Sequence, residues 1–172
     1  MFGDETMFFG DHGEVPRKLW SSQRNAPFRE CMVCNRALGP EDCYEIQKAF
    51  NKREAVFEIV VCMECGLALA AEYSRESIAA ITAFMQQRLD FSRPPEVCTF
   101  CGAVMGGAPS QSLSAVCRGD RLIMPVIGMC AECEERLQGC LSEKTRRAHE
   151  DFINRTVPGI PADLDLAPVL FL

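Results

Sequence analysis

Eleven of the 172 residues are cysteines, and eight of them form four pairs with two residues between the members of each pair. In a reducing compartment, regular pairs of this kind are more typical of metal ligands than of disulfides. Structural zinc sites take four tetrahedral ligands, often four thiolates, so two pairs can complete one coordination shell. The pattern therefore predicts two Zn²⁺ ions per chain, each bound by four thiolates. The predicted ligands are Cys31, Cys34, Cys62, Cys65, Cys98, Cys101, Cys130 and Cys133.

The spacing of the pairs indicates how they group. Cys34 and Cys62 are separated by 27 residues and Cys101 and Cys130 by 28, whereas 32 residues separate the second pair from the third. The matched gaps favour sequential sites, in which the first pair joins the second and the third joins the fourth. A cross-braced arrangement is the alternative, but it would thread a long helix between ligands.

A repeat extends beyond the cysteines. A shift of 67 residues places the first pair on the third, and a shift of 68 places the second on the fourth, Ser74 on Ser142 and Phe84 on Phe152. Such self-similarity indicates one structural unit used twice. We therefore predict an N-terminal extension (1–27), a first zinc unit (28–92), a second zinc unit (93–157) and a C-terminal tail (158–172).

Each unit shows the same succession of local signals. A tight turn carries the first cysteine pair, and two runs rich in β-branched and aromatic residues then predict a hairpin, as at 43–50 and 55–61. In the second unit the hairpin turns near 118–120, and Pro125 indicates that its second strand lies at an edge, because proline cannot donate to a ladder. The second cysteine pair opens a helix, where residues i and i+3 share one face.

A longer helix is predicted after Ser74, a residue type favoured at helix N-caps. The apolar residues that follow recur at helical spacing and are predicted to face the core of their own unit, with a dimer surface as the alternative. The predicted fold class is accordingly α+β, with two small tandem units of knuckle, hairpin and helix. The apolar stripe comprises Ile78, Ile81, Met85 and Leu89.

This succession resembles the treble-clef zinc finger, and the resemblance covers residues 28–157 at the level of architecture. The sequence CTFCG…CAECEERL also looks like the small zinc-binding domain of the Clp-protease unfoldase subunit, although the gap between its cysteine pairs is longer here. The resemblance implies a four-thiolate zinc site in a treble-clef-like framework and nothing about a substrate.

The ligand set argues against catalysis. A catalytic zinc keeps one position open and often uses histidine or carboxylate ligands, whereas four thiolates close the shell. The chain has two histidines, His12 and His149, and lacks an H-E-x-x-H sequence, a phosphate-binding loop and a nucleophile elbow. We therefore expect no enzymatic activity. A zinc-thiolate redox switch is a further alternative, because released zinc would leave four neighbouring thiols.

The charge argues against nucleic acid as the main partner. The formal net charge is −6, and eight thiolates around two Zn²⁺ would add about −4. Polyanion binding needs a concentrated basic face, and the basic clusters at Lys48, Lys52 and Arg53 and at 144–147 lie among acids. The expected function is a protein–protein interaction module or adaptor, with self-association included. Zinc-finger nucleic-acid binding or transcription regulation is the alternative.

The sequence also supports predictions for the C-terminal tail, for the location of the protein in the cell and for the three remaining cysteines. The tail is predicted to dock as a short peptide on a partner or neighbouring copy, with folding back over its own core as the alternative. No apolar run reaches the ~18 residues of a membrane span, and no secretory signal is expected, which favours a cytoplasmic protein. Cys43, Cys117 and Cys140 are expected to be small buried hydrophobes.

Overall fold

The computed structural model describes residues 9–160. Within this range the chain has an α+β fold, as predicted, and strands precede two helices in each half. The elements are the 3-10 helix Arg17–Leu19, β1 Cys43–Asn51, β2 Glu54–Cys62, α1 Met63–Ala70, α2 Arg75–Arg88, β3 Gln111–Arg118, β4 Arg121–Leu122, β5 Ile127–Cys130, α3 Ala131–Gly139 and α4 Glu143–Thr156.

The strands form one antiparallel sheet in the order β2-β1-β3-β4, and β5 also pairs with β3. The predicted hairpin of the first unit is β1–β2. In the second unit the predicted outer strand is interrupted, because 123–126 leave the ladder between β4 and β5. Pro125 lies in this break, where its missing N–H removes no ladder hydrogen bond. The strand ends the sheet order on this side, but its continuity is not confirmed, and residues 10–15 form backbone hydrogen bonds along the outer side of β4.

The two halves are joined through their central strands. β1 pairs with β3 along residues 43–50 and 111–118. Gln47 lies directly opposite Ser114, its own equivalent under the 67-residue shift. An antiparallel pair centred on equivalent residues has local two-fold symmetry, as in an isologous dimer interface. Sequence reasoning treated the units as consecutive and did not predict this shared sheet.

The helix layer has a matching contact near the same symmetry axis. Ser74 caps α2 by accepting from the N–H of Ser77, and Ser142 caps α4 by accepting from the N–H of Thr145. The caps also bond across the interface: the N–H of Ser74 donates to Thr145 Oγ1 at 2.9 Å, and the N–H of Ser142 donates to Ser77 Oγ at 2.8 Å. Four hydroxyls thereby bond at the N-termini of both helices, and two of them, those of Ser77 and Thr145, belong to fully buried residues.

Removing one hydroxyl from this cluster tests its contribution. Ser142→Ala is expected to lower the free energy of unfolding by about 1–2 kcal/mol, because an N-cap acceptor is lost and its buried partners remain. Urea denaturation of the zinc-loaded protein measures this loss. Thr82→Ala, which removes an exposed hydroxyl on α2 that bonds only to the carbonyl of Ile78, should change stability by about 0.5 kcal/mol or less. Equal effects of the two substitutions would contradict the role of the cluster.

The N-terminal segment first pairs with the outer side of β4, through backbone hydrogen bonds of residues 10–15, and then packs over one face of the sheet. Glu14 bridges to Arg121 at β4, and Leu19 is fully buried. The ammonium group of Lys48 on β1 donates to the carbonyl of Trp20 at 2.7 Å and forms an ion pair with Glu58 on β2 at 3.1 Å. Residues 9–27 are therefore packed against the sheet, while residues 1–8 lie outside the described range, and the division of the chain at residue 27 stays a prediction.

The core confirms part of the predicted helical stripe. Ile81 and Met85 are buried, and Leu89 packs partly against the core. Ile78 is 43% exposed, so the prediction that it faces the core is wrong. Phe84, which the periodicity did not single out, is buried instead and packs against Phe100 of the second unit with ring centroids 5.2 Å apart. Helix α2 thus faces the neighbouring unit as well as its own.

His149 on α4 gives the fold a pH dependence. It is buried, its Nε2 has no hydrogen-bond partner among residues 9–160, and desolvation lowers its pKa to about 4 from 6.5. The unfolded chain therefore takes up this proton first as the pH falls. Stability is complete above pH 6.5 and decreases between 6.5 and about 4.

The predicted loss of stability below pH 6.5 can be tested with a variant of His149 that cannot titrate. Between pH 7 and pH 5 the wild type should lose about 2 kcal/mol more stability than His149→Gln, which cannot titrate. Denaturant unfolding at both pH values measures the difference, and subtracting the variant removes the contribution of the thiolates. His12→Gln alters an exposed histidine and should follow the wild type. Parallel pH profiles for wild type and His149→Gln would contradict the prediction.

Candidate functional sites

The first cysteine pair lies in a tight knuckle before β1. The N–H of Cys31 donates to the carbonyl of Arg36 at 3.0 Å, and the N–H of Asn35 donates to the carbonyl of Cys31 at 2.9 Å. Asn35 has a positive φ of 60°, which asparagine tolerates better than most residues. The N–H of Met32 donates to the carbonyl of Val60 at 2.9 Å, so the knuckle is fixed to the end of β2.

The second pair lies where β2 passes into α1. Cys62 ends the strand and is the N-cap residue of the helix, with extended backbone angles (φ −68°, ψ 160°). Cys65 lies in the first helical turn, so both thiols project from the same face. This junction directs two sulfurs towards the knuckle.

The second unit repeats this local structure. The N–H of Gly102 donates to the carbonyl of Cys98 at 2.9 Å. Gly102 is equivalent to Asn35 under the 67-residue shift and likewise has a positive φ, of 77°. The N–H of Thr99 donates to the carbonyl of Gly128 at 2.8 Å, which fixes this knuckle to β5. The equivalent anchors explain why both pairs of knuckle cysteines reach a strand-to-helix junction.

The geometry of both cysteine groups fits two zinc ions per chain. Cys130 ends β5 and Cys133 lies in the first turn of α3. In each group the sulfurs lie within 4.8 Å of one another. The Cys34–Cys62 sulfur distance is 3.9 Å, and the equivalent Cys101–Cys130 distance is 3.6 Å. A tetrahedral ion with ~2.3 Å bonds separates sulfurs by about 3.8 Å, whereas a disulfide requires about 2 Å.

A buried sulfur in each group accepts backbone hydrogen bonds. The N–H of Cys62 donates to Cys31 Sγ at 3.3 Å, and that of Cys130 donates to Cys98 Sγ at 3.4 Å. Burial alone would raise the pKa of Cys31, but this donor and N–H groups of the knuckle outweigh it and lower the pKa to about 7. The pKa of Cys98 is lowered for the same reason. Because the thiolate is the metal ligand, the backbone prepares one ligand in each group.

The helix cysteines have the opposite tendency. Burial, followed by neighbouring thiols and thiolates, raises the pKa of Cys65 and of Cys133. Four sulfurs in such a small volume cannot all ionise without a compensating charge. A bound dication supplies that charge, and metal binding is therefore coupled to formation of the knuckle and the junction.

The structure brings the eight predicted cysteines together in two sequential groups, not in a cross-braced arrangement. Their role as zinc ligands remains a prediction. Of the other cysteines, Cys117 is buried as expected. Cys43 is partly exposed and Cys140 is exposed, so the expectation of burial is wrong for Cys140.

Metal stoichiometry tests the assignment. Native mass spectrometry should find two zinc ions in the wild type and one in Cys34→Ser/Cys65→Ser, because two remaining thiolates cannot close the first site. Cys140→Ser removes an exposed thiol outside both groups and should retain two ions. One ion in the reduced, folded wild type, or two in the double variant, would contradict the assignment.

A second feature, which sequence reasoning missed, is a groove of about 390 Å³ beside the outer edge of β2. Its walls are residues 21–24, 28–32 and 55–58, and Val157 lies at one side. The signal for it was spread over three segments of different secondary structure, so no local pattern indicated it.

The outer edge of β2 is available for pairing along most of its length. β2 ends the sheet order. Among residues 9–160, other segments bond to the backbone of this edge at Val60, whose carbonyl accepts from Met32, and at Cys62, whose N–H donates to Cys31 Sγ. Val56 is an extra residue between two ladder pairs and is 45% exposed. A bulge of this kind redirects the side chain, here into the groove wall.

Comparisons with protein-family models, with curated proteins and with solved structures found no significant match. None of the helices in the described range is long and apolar enough to cross a bilayer. The function is therefore inferred from the two cysteine groups and the groove alone.

Proposed function

We propose that the protein is a non-enzymatic adaptor in the cytoplasm, in which two treble-clef-like zinc units hold a groove for an extended segment of a protein partner. The observation that carries this proposal is the groove beside the unpaired edge of β2. Edge strands that offer unpaired N–H and C=O groups next to side-chain pockets are a recurrent means of binding extended peptides.

The zinc sites support a structural rather than a catalytic role. Each donor set contains four sulfurs, which leave a tetrahedral ion without a position for water or substrate. The knuckle, the hairpin and the helix that contribute to each set have the succession found in a treble clef. In this proposal the first zinc fixes the 28–32 wall of the groove to β2, because Cys31 lies within that wall.

The chemistry of the groove favours a peptide with apolar and acidic residues. Val56 and the partly buried Phe28 provide apolar surface, and the exposed Arg24 and Arg29 provide positive charge. The carboxylate of Glu58 also lines the groove, but it is paired with Lys48. Glu30 is the remaining acid in the lining.

The same contacts weaken the nucleic-acid alternative. Lys48, one of three residues in a basic cluster noted in the sequence, is buried against Glu58 and is not available to a phosphate. Arg147 of the other cluster is paired with Glu143. Within residues 9–160 these pairs reduce the positive charge of both clusters, which argues against the concentrated basic face that polyanion binding requires.

Matched charge insertions test the proposal. Val56→Asp places a carboxylate in the groove wall, whereas Val104→Asp places one at a 76% exposed position on the second knuckle. Partners captured by the wild type should be lost about tenfold or more with Val56→Asp and retained with Val104→Asp, at unchanged zinc content. Equal capture by both variants would overturn the groove as the binding site. Salt-sensitive DNA or RNA binding would instead support the alternative.

A further inference from the structure

The end of the described chain lies at the groove. Helix α4 ends at Thr156, and the next residue, Val157, lines the groove beside 28–32 and 55–58. Ile160 still packs against the core. Twelve more residues follow, 161–172. Extended, they could span roughly 40 Å, so they can reach every part of the groove without a long closing loop.

The sequence of this segment complements the groove. Asp163, Leu164, Asp165 and Leu166 alternate acidic and apolar residues. In an extended chain this alternation places both leucines on one side and both carboxylates on the other. Pro161 and Pro168 disfavour a helix that includes these two positions. They also reduce the conformational entropy that the segment loses when it becomes ordered.

The groove presents the opposite chemistry. Its apolar surface includes Phe28 and Val56, and its exposed cations are Arg24 and Arg29. The backbone of Glu58 has the same parity along β2 as Val60 and Cys62, whose outward groups contact the first knuckle. The N–H and C=O of Glu58 therefore also point outwards and can pair with an added strand.

We propose that residues 161–172 bind in the groove of their own chain, with Leu164 and Leu166 against Phe28 and Val56 and with the aspartates facing the two arginines. The segment is then an internal ligand that a partner must displace. This regulatory consequence rests on the proposed function, whereas the docking itself does not. Tethering favours the internal ligand, because a short linker gives an effective concentration in the millimolar range.

Photo-crosslinking in the full-length chain tests the docking. A benzophenone amino acid in place of Leu166 should crosslink within the chain to 28–32 or 55–58. The same group in place of Leu67, which is 58% exposed on α1, should not. Arg24→Glu/Arg29→Glu should lower the yield about fivefold, as expected for two exposed ion pairs, and adding Asp163→Lys/Asp165→Lys should restore it.

Each other outcome would overturn the proposal. These outcomes are crosslinks to another surface, an unchanged yield in the charge variants, or crosslinks between isotopically distinct chains, which would place the segment on a second copy. Hydrogen exchange provides a measurement that leaves the groove unmodified: the Glu58 amide should exchange about fivefold faster in Asp163→Lys/Asp165→Lys than in the wild type. Equal exchange would overturn the inference.

The two proposals can fail separately. If position 166 crosslinks as expected but Val56→Asp does not affect partner capture, the docking of residues 161–172 stands and the adaptor proposal is wrong. If partner capture depends on Val56 but position 166 gives no crosslink, the adaptor proposal stands and the proposal of an internal ligand is wrong.

Discussion

Removal of both zinc ions is expected to unfold the two units together. Structural zinc contributes roughly 10–16 kcal/mol of apparent binding free energy, while a whole domain is stable by about 5–15 kcal/mol. Without the ions, four thiols in each group remain crowded and only partly ionised. Chelation under reducing conditions, followed by metal analysis and circular dichroism, should show loss of the near-ultraviolet signal and most of the far-ultraviolet signal. Unchanged spectra after complete metal removal would contradict a structural role.

Because the two units share one sheet, loss of the first zinc site alone is expected to destabilise the second unit as well. Cys34→Ser/Cys65→Ser removes only the first site, but β3 of the second unit pairs with β1 of the first. Amide protection in β3 should therefore fall at least tenfold although the second zinc remains bound. Protection in β3 equal to that of the wild type would show that the units fold independently.

Lys48→Met is expected to destabilise the zinc-loaded protein by about 3–5 kcal/mol. The side chain of Lys48 is 3% exposed and that of Glu58 is 19% exposed, with 3.1 Å between the ammonium nitrogen and the carboxylate. The substitution leaves the carboxylate in this site without its cation and removes the hydrogen bond to Trp20. Residues 9–27 should consequently become sensitive to protease. Denaturant unfolding and limited proteolysis measure the two effects.

Matched variants separate the buried charge from general damage. Lys48→Met/Glu58→Gln should recover a substantial part of the loss, because no unpaired charge remains. Arg147→Met breaks the exposed pair with Glu143 and should cost less than about 1 kcal/mol. A Lys48→Met cost as small as that of Arg147→Met would contradict the importance of the buried pair.

The pKa of Glu58 determines how the contribution of the Lys48–Glu58 pair to stability changes with pH. Burial raises this pKa, but the N–H of Ser22 and the ammonium group of Lys48 outweigh burial and hold it below its ordinary value of 4.5. The contribution of the pair is therefore complete above pH 4.5 and is lost as the pH falls through the lower pKa of the folded state.

The metal-site geometry was predictable because its determinants are local. A cysteine pair in a tight turn and a second pair at i and i+3 of a helix restrict where the sulfurs can point, and the matched gaps indicated which pairs meet. The Ser74 cap was predictable for the same reason, since a capping residue acts on the N–H groups two or three residues away.

The shared sheet and the groove were not predictable in this way. Pairing of β1 with β3 joins residues that are 75 positions apart at one end of the register and 61 at the other, and no short pattern encodes that choice. Lys48 looked like part of a basic surface because its neighbours in sequence are charged, whereas its spatial neighbours are Trp20, Ser22 and Glu58. The boundary between the two units at residues 92 and 93 stays a prediction, since the halves form one sheet and their helix caps bond to each other.

The Gln47–Ser114 pairing has a consequence for how such a molecule could diversify. A strand edge that pairs with its own equivalent is the interface of a two-fold dimer, and covalent fusion of two copies makes that dimer independent of concentration. Once fused, the halves no longer need to remain identical. Here the first half retains a continuous outer strand, with an exposed edge beside the groove, while the second half has its outer strand interrupted around Pro125 and binds residues 10–15 along β4. Asymmetry of this kind allows the two halves to acquire different surfaces while the paired central strands keep the framework in common.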